Sequence, residues 1–152
     1  MSERQNNRNV LERRLFVAGL AGAVALPLAR AQTAATPAQT LGPFYPRNPS
    51  ERPRDTDADL LSVDGDRVLT KGVPLYLTGR VLDRRGTALP NAAVEIWQCD
   101  ANAVYHHPEG GAESQRDQGF QGYGVTKTGA DGDFHFRTIR PVAYPGRTPH
   151  IH

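Results

Sequence analysis

The residues with the clearest capacity for chemistry stand together in the stretch Tyr144-Pro145-Gly146-Arg147-Thr148-Pro149-His150-Ile151-His152. It holds a phenol, a guanidinium and a pair of imidazoles in a tract that cannot be helical. Pro145 and Pro149 lack a backbone donor and push the residues before them toward extended conformations. Gly146 lets the chain bend between them. His150-Ile151-His152 reads as a strand entry, where residues i and i+2 point to one face. His150 and His152 can then share a target while Ile151 faces away, and paired imidazoles on one face suggest a metal. Tyr105, at the head of a loop containing Pro108, Gly110 and Gly111, is a second phenol that can join them. A free phenol ionises only near about pH 10. Holding a pair of them as ligands near neutrality therefore needs a strongly Lewis-acidic cation. Mixed phenolate and imidazole donors suit iron(III) better than a zinc site built on thiolates. The same residues have plainer uses. His-x-His occurs on strands without a metal, and tyrosines at a core edge bury their rings with the hydroxyl satisfied.

The chain that must position these groups has 152 residues, enough for one domain and a leader. Its 15 Gly and 12 Pro favour a β-rich fold over a helical bundle. The leader is read over residues 1–31. Arg13-Arg14 precedes the apolar run Ala18 to Leu28, and Ala29-Arg30-Ala31 matches a small-x-small cleavage pattern. This predicts a twin-arginine signal peptide, export to the periplasm already folded, and no permanent membrane span, since the apolar run is too short. Of the 18 basic and 16 acidic side chains, five Arg and two Glu fall in this leader. The remainder therefore carries 13 against 14, close to neutral. The sequence pI of 8.9 is a property of the leader, and nucleic acid is not an expected partner. The single Cys99 excludes an intrachain disulfide and reads as a small buried residue.

Residues 32–39 read as a polar linker. Thr40-Leu41-Gly42-Pro43-Phe44-Tyr45-Pro46 is a compact aromatic segment with turn residues. Asn48 to Asp59 reads as a surface loop. Asp55, Asp57 and Asp59 resemble the start of a calcium loop, but Leu60 stands where glycine is needed and Asp66 where a bidentate Glu is usual, so a solvated loop is the better reading. Strands are predicted at Val73–Leu82, Ala92–Gln98, Gly119–Thr128 and Phe134–Ile139, with a turn at Asp83-Arg84-Arg85-Gly86 and a hairpin turn at Ala130-Asp131-Gly132-Asp133. In the second strand, Val94, Ile96 and Gln98 share one face and Ala93, Glu95 and Trp97 the other. His106 and His107, being adjacent, point apart and read as a solvated pair. Asp100 and Asp133 read as loop and turn residues. The predicted fold is all-β, an antiparallel β-sandwich with long functional loops.

Thr40-Leu41-Gly42-Pro43-Phe44-Tyr45, Leu77-Thr78-Gly79-Arg80-Val81-Leu82-Asp83, Val94-Glu95-Ile96-Trp97-Gln98, Tyr105, Phe136-Arg137-Thr138-Ile139-Arg140-Pro141 and the Tyr144–His152 stretch occur in this order. Together they resemble the intradiol ring-cleavage dioxygenases over about residues 40–152. The resemblance implies non-haem iron(III) held by Tyr105, Tyr144, His150 and His152, with Tyr144 also taking up a substrate proton. It implies Arg147 as the cation that stabilises charge on the substrate ring, and Leu41, Gly42 and Pro43 as a substrate-pocket loop. The implied reaction inserts both atoms of O2 into a catechol-type ring, giving a cis,cis-muconate-type diacid. A homo-oligomer is also expected. Family members continue past His-x-His, so the resemblance further implies a core incomplete at its C-terminus. The absence of a long helical region before the core points to the exported or protocatechuate-like branch. The rival expectation is a secreted, non-catalytic transthyretin-like sandwich, which shares this style of strands but has no use for two tyrosines and two histidines around an arginine.

Overall fold

The computed structural model describes residues 34–65 and 70–152. The leader read over 1–31 lies outside them. Residues 34–40 are exposed and without regular structure. Among the described residues the chain is all-β, with strands β1 (Pro74–Arg80), β2 (Ala93–Trp97), β3 (Tyr123–Lys127) and β4 (Asp133–Ile139) and single-turn 3-10 helices at Pro49–Glu51 and Glu113–Gln115. No helix among them is long and apolar enough to cross a membrane.

The strands form two antiparallel pairs. β1 pairs with β4, from Pro74 opposite Ile139 to Arg80 opposite Asp133. β2 pairs with β3, from Ala93 opposite Lys127 to Trp97 opposite Tyr123. Both pairs feed one aliphatic core: Leu60, Leu61, Ile96, Phe120, Phe136 and Ile139, with Leu77, Val94 and Phe134 packed against it. The period-two pattern in β1 and β4 produces this directly, because alternate side chains leave the sheet on one side. Gly79 lies opposite Phe134. A Cβ there would collide with the tip of the Phe134 ring, which occupies the space a side chain would need.

Three local expectations differ from the structure. The Asp-Gly turn at 130–133 exists, with the Gly132 N–H donating to Gly129 O at 3.0 Å and Gly132 at φ 74°. It does not close a hairpin, because β3 and β4 belong to different pairs. It carries the chain from one sheet to the other. Turn chemistry is local and does not reveal which strand becomes the partner. The second correction concerns residues 48–59, read as a surface loop. Residues 56–60 are a strap stitched to both sheets: Val125 N–H donates to Thr56 O at 2.8 Å, Arg137 N–H to Ala58 O at 2.9 Å and Leu60 N–H to Arg137 O at 2.9 Å. Leu60 is wholly buried. The carboxylates of Asp55, Asp57 and Asp59 accept the N–H groups of Asp57, Asp59 and Leu61 in turn, and Arg137 grips Asp59 with contacts of 2.9 and 2.8 Å. These acids shape the strap, which leaves no calcium loop. The predicted third strand also starts late, at Tyr123, since Gln118 and Gly119 are the centre of a turn closed by Phe120 N–H donating to Asp117 O at 3.1 Å.

The C-terminal end of β2 is buried on both faces, at Ile96 and at Trp97. Val94, Ile96 and Gln98 face the aliphatic core, as the alternation predicts. Trp97 and Cys99 face a second cluster with Tyr105 and Tyr123, against which Phe44, Tyr45, Val142 and Tyr144 pack. Trp97 exchanges both backbone hydrogen bonds with His152, at 3.2 and 3.0 Å. The His-x-His tract therefore begins a pairing with β2 on the edge opposite β3, in accord with its reading as a strand entry.

Candidate metal centre

Three segments bring aromatic and imidazole rings together on the outer side of β2. The first is the Tyr144–His152 tract. Pro145 and Gly146 sit at the centre of a turn closed by Arg147 N–H donating to Tyr144 O at 3.0 Å, with Gly146 at φ 79°. Proline followed by a positive-φ glycine is the requirement of a type II turn. The turn lets Tyr144 and His150 face one another, with ring centroids 5.6 Å apart. His150 Nδ1 lies 2.6 Å from Thr148 O. A carbonyl oxygen has no proton to give, so in the neutral ring Nδ1–H donates and Nε2 carries the lone pair. His150 Nε2 stands 3.0 Å from His152 Nε2. Imidazole nitrogens about 2.1 Å from a shared cation and roughly at right angles stand about 3 Å apart.

The second segment is the loop following β2. Tyr105 is buried, its ring 5.4 Å from that of Tyr144 and 6.4 Å from that of His152. Its hydroxyl is buried and makes no hydrogen bond of good geometry, although the Tyr144 phenol is its near neighbour. Burial, with the Tyr144 phenol beside it, pushes Tyr105 well above the ordinary phenol value. Burial also lowers the affinity of His152 for a proton, and His150 and Arg147 lower it further.

Asp100 fixes this loop. Though read as a plain loop residue, it is buried, and its carboxylate accepts the N–H groups of Asn102, Val104 and Asp117 at 2.8, 3.0 and 2.7 Å. His106 and His107 are not the solvated pair expected. His107 is buried against the edge of Phe44, its Nδ1 accepts the Glu109 N–H at 3.2 Å, and its Nε2 lies 3.9 Å from Glu51. His106 is half-buried. Polar residues buried through backbone partners leave no mark on hydrophobic periodicity, which explains both misreadings. Cys99 is buried as expected, and burial pushes its thiol up.

The third segment is residues 41–46. Phe44 stacks on Tyr105 at 4.5 Å and meets Tyr144 edge-on at 6.2 Å. A Cβ at Gly42 would come within 3.8 Å of His152 Cε1. Leu41 and Pro43 are exposed beside it, as is Arg147, whose charge is felt by Tyr105 and His152. Tyr105, Tyr144, His150, His152 and the 41–44 loop thus come together around one point. Phe44 and Trp97, which stacks face to face on His152 at 4.9 Å, were not singled out. The available signal was the second face of β2, which has no aliphatic residue beyond Ala93.

A family model described as "Dioxygenase" matches residues 41–151. The chain belongs to the intradiol ring-cleavage dioxygenases. It is 38% identical to a protocatechuate 3,4-dioxygenase beta chain from Burkholderia cepacia, over 73% of this chain and 56% of that protein. It is 30% identical to a hydroxyquinol 1,2-dioxygenase from Rhizobium sp., over 76% of this chain and 35% of the relative. Among solved structures it resembles the dioxygenase domain of a dioxygenase–carbohydrate-binding fusion from Streptomyces sp. SirexAA-E, with TM-score 0.56 and 36% identity over 78% of this chain and 64% of that one. It also resembles hydroxyquinol 1,2-dioxygenase from Pseudomonas putida DLL-E4, with TM-score 0.54 and 30% identity over 78% of this chain and 36% of that one. The chain thus spans 56% or less of the length of these curated relatives.

Intradiol dioxygenases use non-haem iron, and the donor chemistry here fits it. Among the described residues no three His, Cys, Asp or Glu side chains cluster as metal ligands. The converging donors are phenols and imidazoles, the hard and borderline set suited to a ferric ion. An orphaned buried hydroxyl on Tyr105 is the kind of unmet valence that a cation at this point would satisfy.

Proposed function

We propose that this chain is the catalytic core of a ferric intradiol dioxygenase, built on an antiparallel β-sandwich, that opens a catechol-type ring between its hydroxyl carbons. The observation that carries this reading is the convergence of the buried, unpartnered Tyr105 hydroxyl with Tyr144 and the paired Nε2 atoms of His150 and His152. Tyr105, Tyr144, His150 and His152 hold the iron, which when bound supplies Lewis acidity and a template for substrate and O2. Thr148 O fixes the His150 tautomer, leaving Nε2 free for the metal. Tyr144 is less buried than Tyr105, and its phenolate oxygen would take up a proton from the catechol, becoming a neutral phenol. Arg147 offsets negative charge that develops on the ring. Leu41, Gly42 and Pro43 form the pocket edge and Phe44 excludes water beside Tyr105. Both atoms of O2 enter the product, a cis,cis-muconate-type diacid. Protocatechuate-like or simple catechols are the substrate class. The protein works as a homo-oligomer, exported to the periplasm on the twin-arginine signal of residues 1–31.

Iron loading followed by oxygen uptake with catechol and protocatechuate tests the reaction. Stoichiometric uptake with diacid formation supports it. A chain that binds an aromatic ligand without consuming oxygen would instead be a transthyretin-like binding module. Fractionation of the native host, with and without Arg13-Arg14→Lys-Lys, tests export: the variant should remain in the cytoplasm.

A further inference from the structure

Outside the four converging donors, the outer side of β2 carries a second polar group. Tyr45 Oη donates to Glu95 Oε2 at 2.7 Å across 50 residues of sequence. Glu95 shares its face of β2 with Trp97, and the Tyr45 ring packs edge-on against Trp97 at 4.8 Å. Trp97 in turn stacks on His152 at 4.9 Å with the planes parallel to 1°. Arg52 lies over the Tyr123 ring at 5.3 Å on the same side. Burial and then Glu95 push the Tyr123 phenol up to about 12. The hydrogen bond from Tyr45 to Glu95, with burial, raises the Tyr45 phenol as well. In residues 41–46, Gly42 lies against His152 and Phe44 on Tyr105, and Tyr45 is the residue that anchors them by a side-chain hydrogen bond to the sheet.

We propose that Glu95 is a positioning residue: by accepting the Tyr45 hydroxyl it latches the 41–46 loop to β2, and so sets the gap between Phe44 and the donor cluster into which an aromatic ring enters. The role as a substrate gap rests on the catechol reading above; the latch itself does not. A charge-assisted hydrogen bond of this length is among the stronger ones, and loops are where local opening is easiest. Without the latch the 41–46 loop lifts from Tyr105 and His152 while the aliphatic core stays shut.

The test uses the full chain. Trypsin cleavage after Arg47, the exposed residue that follows the loop, reads the latch on the iron-free protein, because cleavage requires the flanking chain to open. Tyr45→Phe and Glu95→Leu should each speed this cleavage roughly tenfold without changing the denaturant midpoint of the whole chain by a comparable factor, in line with a hydrogen bond to a charged group. Glu95→Gln keeps an acceptor oxygen and should lie between these and the wild type. The double variant Tyr45→Phe/Glu95→Leu should add little to either single one, because both remove the same bond. In iron-loaded protein the single variants should raise KM for a catechol by roughly fivefold while kcat stays within about twofold, the pattern of lost uniform binding. Unchanged cleavage after Arg47, or additive effects in the double variant, would overturn the latch. A wild type without oxygenase activity would remove the catechol reading while the cleavage result still decided the latch.

Discussion

The two faces of β2 are built from the same five-residue strand and treat polar atoms in opposite ways. On the inner face, Gln98 is completely buried, yet its amide donates to Ile139 O at 3.2 Å and its carbonyl oxygen accepts the Thr138 hydroxyl at 2.9 Å. On the outer face, Trp97 Nε1, Tyr105 Oη and Tyr123 Oη are buried without a hydrogen bond of good geometry, although Tyr144 stands near Tyr105 and Glu95 near Tyr123. Buried polar groups are normally paired, and leaving one unpaired costs about 1–3 kcal/mol. The inner face is therefore finished as a core. The outer face is strained for polar satisfaction in the place where rings and imidazoles converge.

The comparison breaks most easily on the inner face. Phe136 is 1% exposed at the centre of the aliphatic core. Phe136→Ala should lower stability by about 3–5 kcal/mol, read as a shift in the denaturant midpoint. A change below about 1 kcal/mol would mean that this core does not hold the fold. Next comes Thr138→Val, which keeps shape but strands the Gln98 carbonyl oxygen, with an expected loss of about 1–3 kcal/mol. On the outer face the equivalent deletion has the opposite sign. Tyr105→Phe removes a hydroxyl that has no partner, so the iron-free chain should be unchanged or up to about 1 kcal/mol more stable. A destabilisation as large as that of Thr138→Val would show that Tyr105 Oη has a partner after all and that the two faces are alike.

The smallest effect is one of pH. The Tyr123 phenol, pushed up to about 12 by burial and by Glu95, is raised above its ordinary value of 10.0. The folded chain therefore keeps this proton after the unfolded chain has lost it. Stability from Tyr123 is fully present below about pH 10 and is lost as pH rises toward about 12. Tyr123→Phe should flatten the alkaline limb of iron-free stability between these values. An unchanged limb would place Tyr123 in contact with solvent.

Much of this was legible in the residues. The alternation in Phe134–Ile139 located β4 to within a residue, and the Pro, Gly and His spacing of 144–152 foretold a turn followed by a strand-like pairing. These signals are local, and the chain obeys them. What escaped depended on partners distant in sequence. The 56–60 strap is held by backbone bonds to β3 and β4, which no side-chain pattern records. The buried Asp100 and His107 are satisfied by main-chain groups in their own loop, so their polarity misled. Tyr105 could be offered as a second phenol from its chemistry, but only the family resemblance assigned it as a ligand, because the loop that carries it reads as irregular. The stacking of Phe44 on Tyr105 and of Trp97 on His152 needed coordinates.

On the proposed reading, the buried Tyr105 hydroxyl would meet a ferric ion shared with Tyr144, His150 and His152. The visible spectrum of the iron-loaded chain tests it most directly, because tyrosinate-to-iron(III) charge transfer absorbs where neither the protein nor hydrated iron does. The account predicts a coloured protein with one iron per chain, a band weakened or shifted by Tyr105→Phe and by Tyr144→Phe, and no such change in Thr138→Val. A colourless protein with stoichiometric iron, or a band indifferent to both tyrosine substitutions, would contradict it.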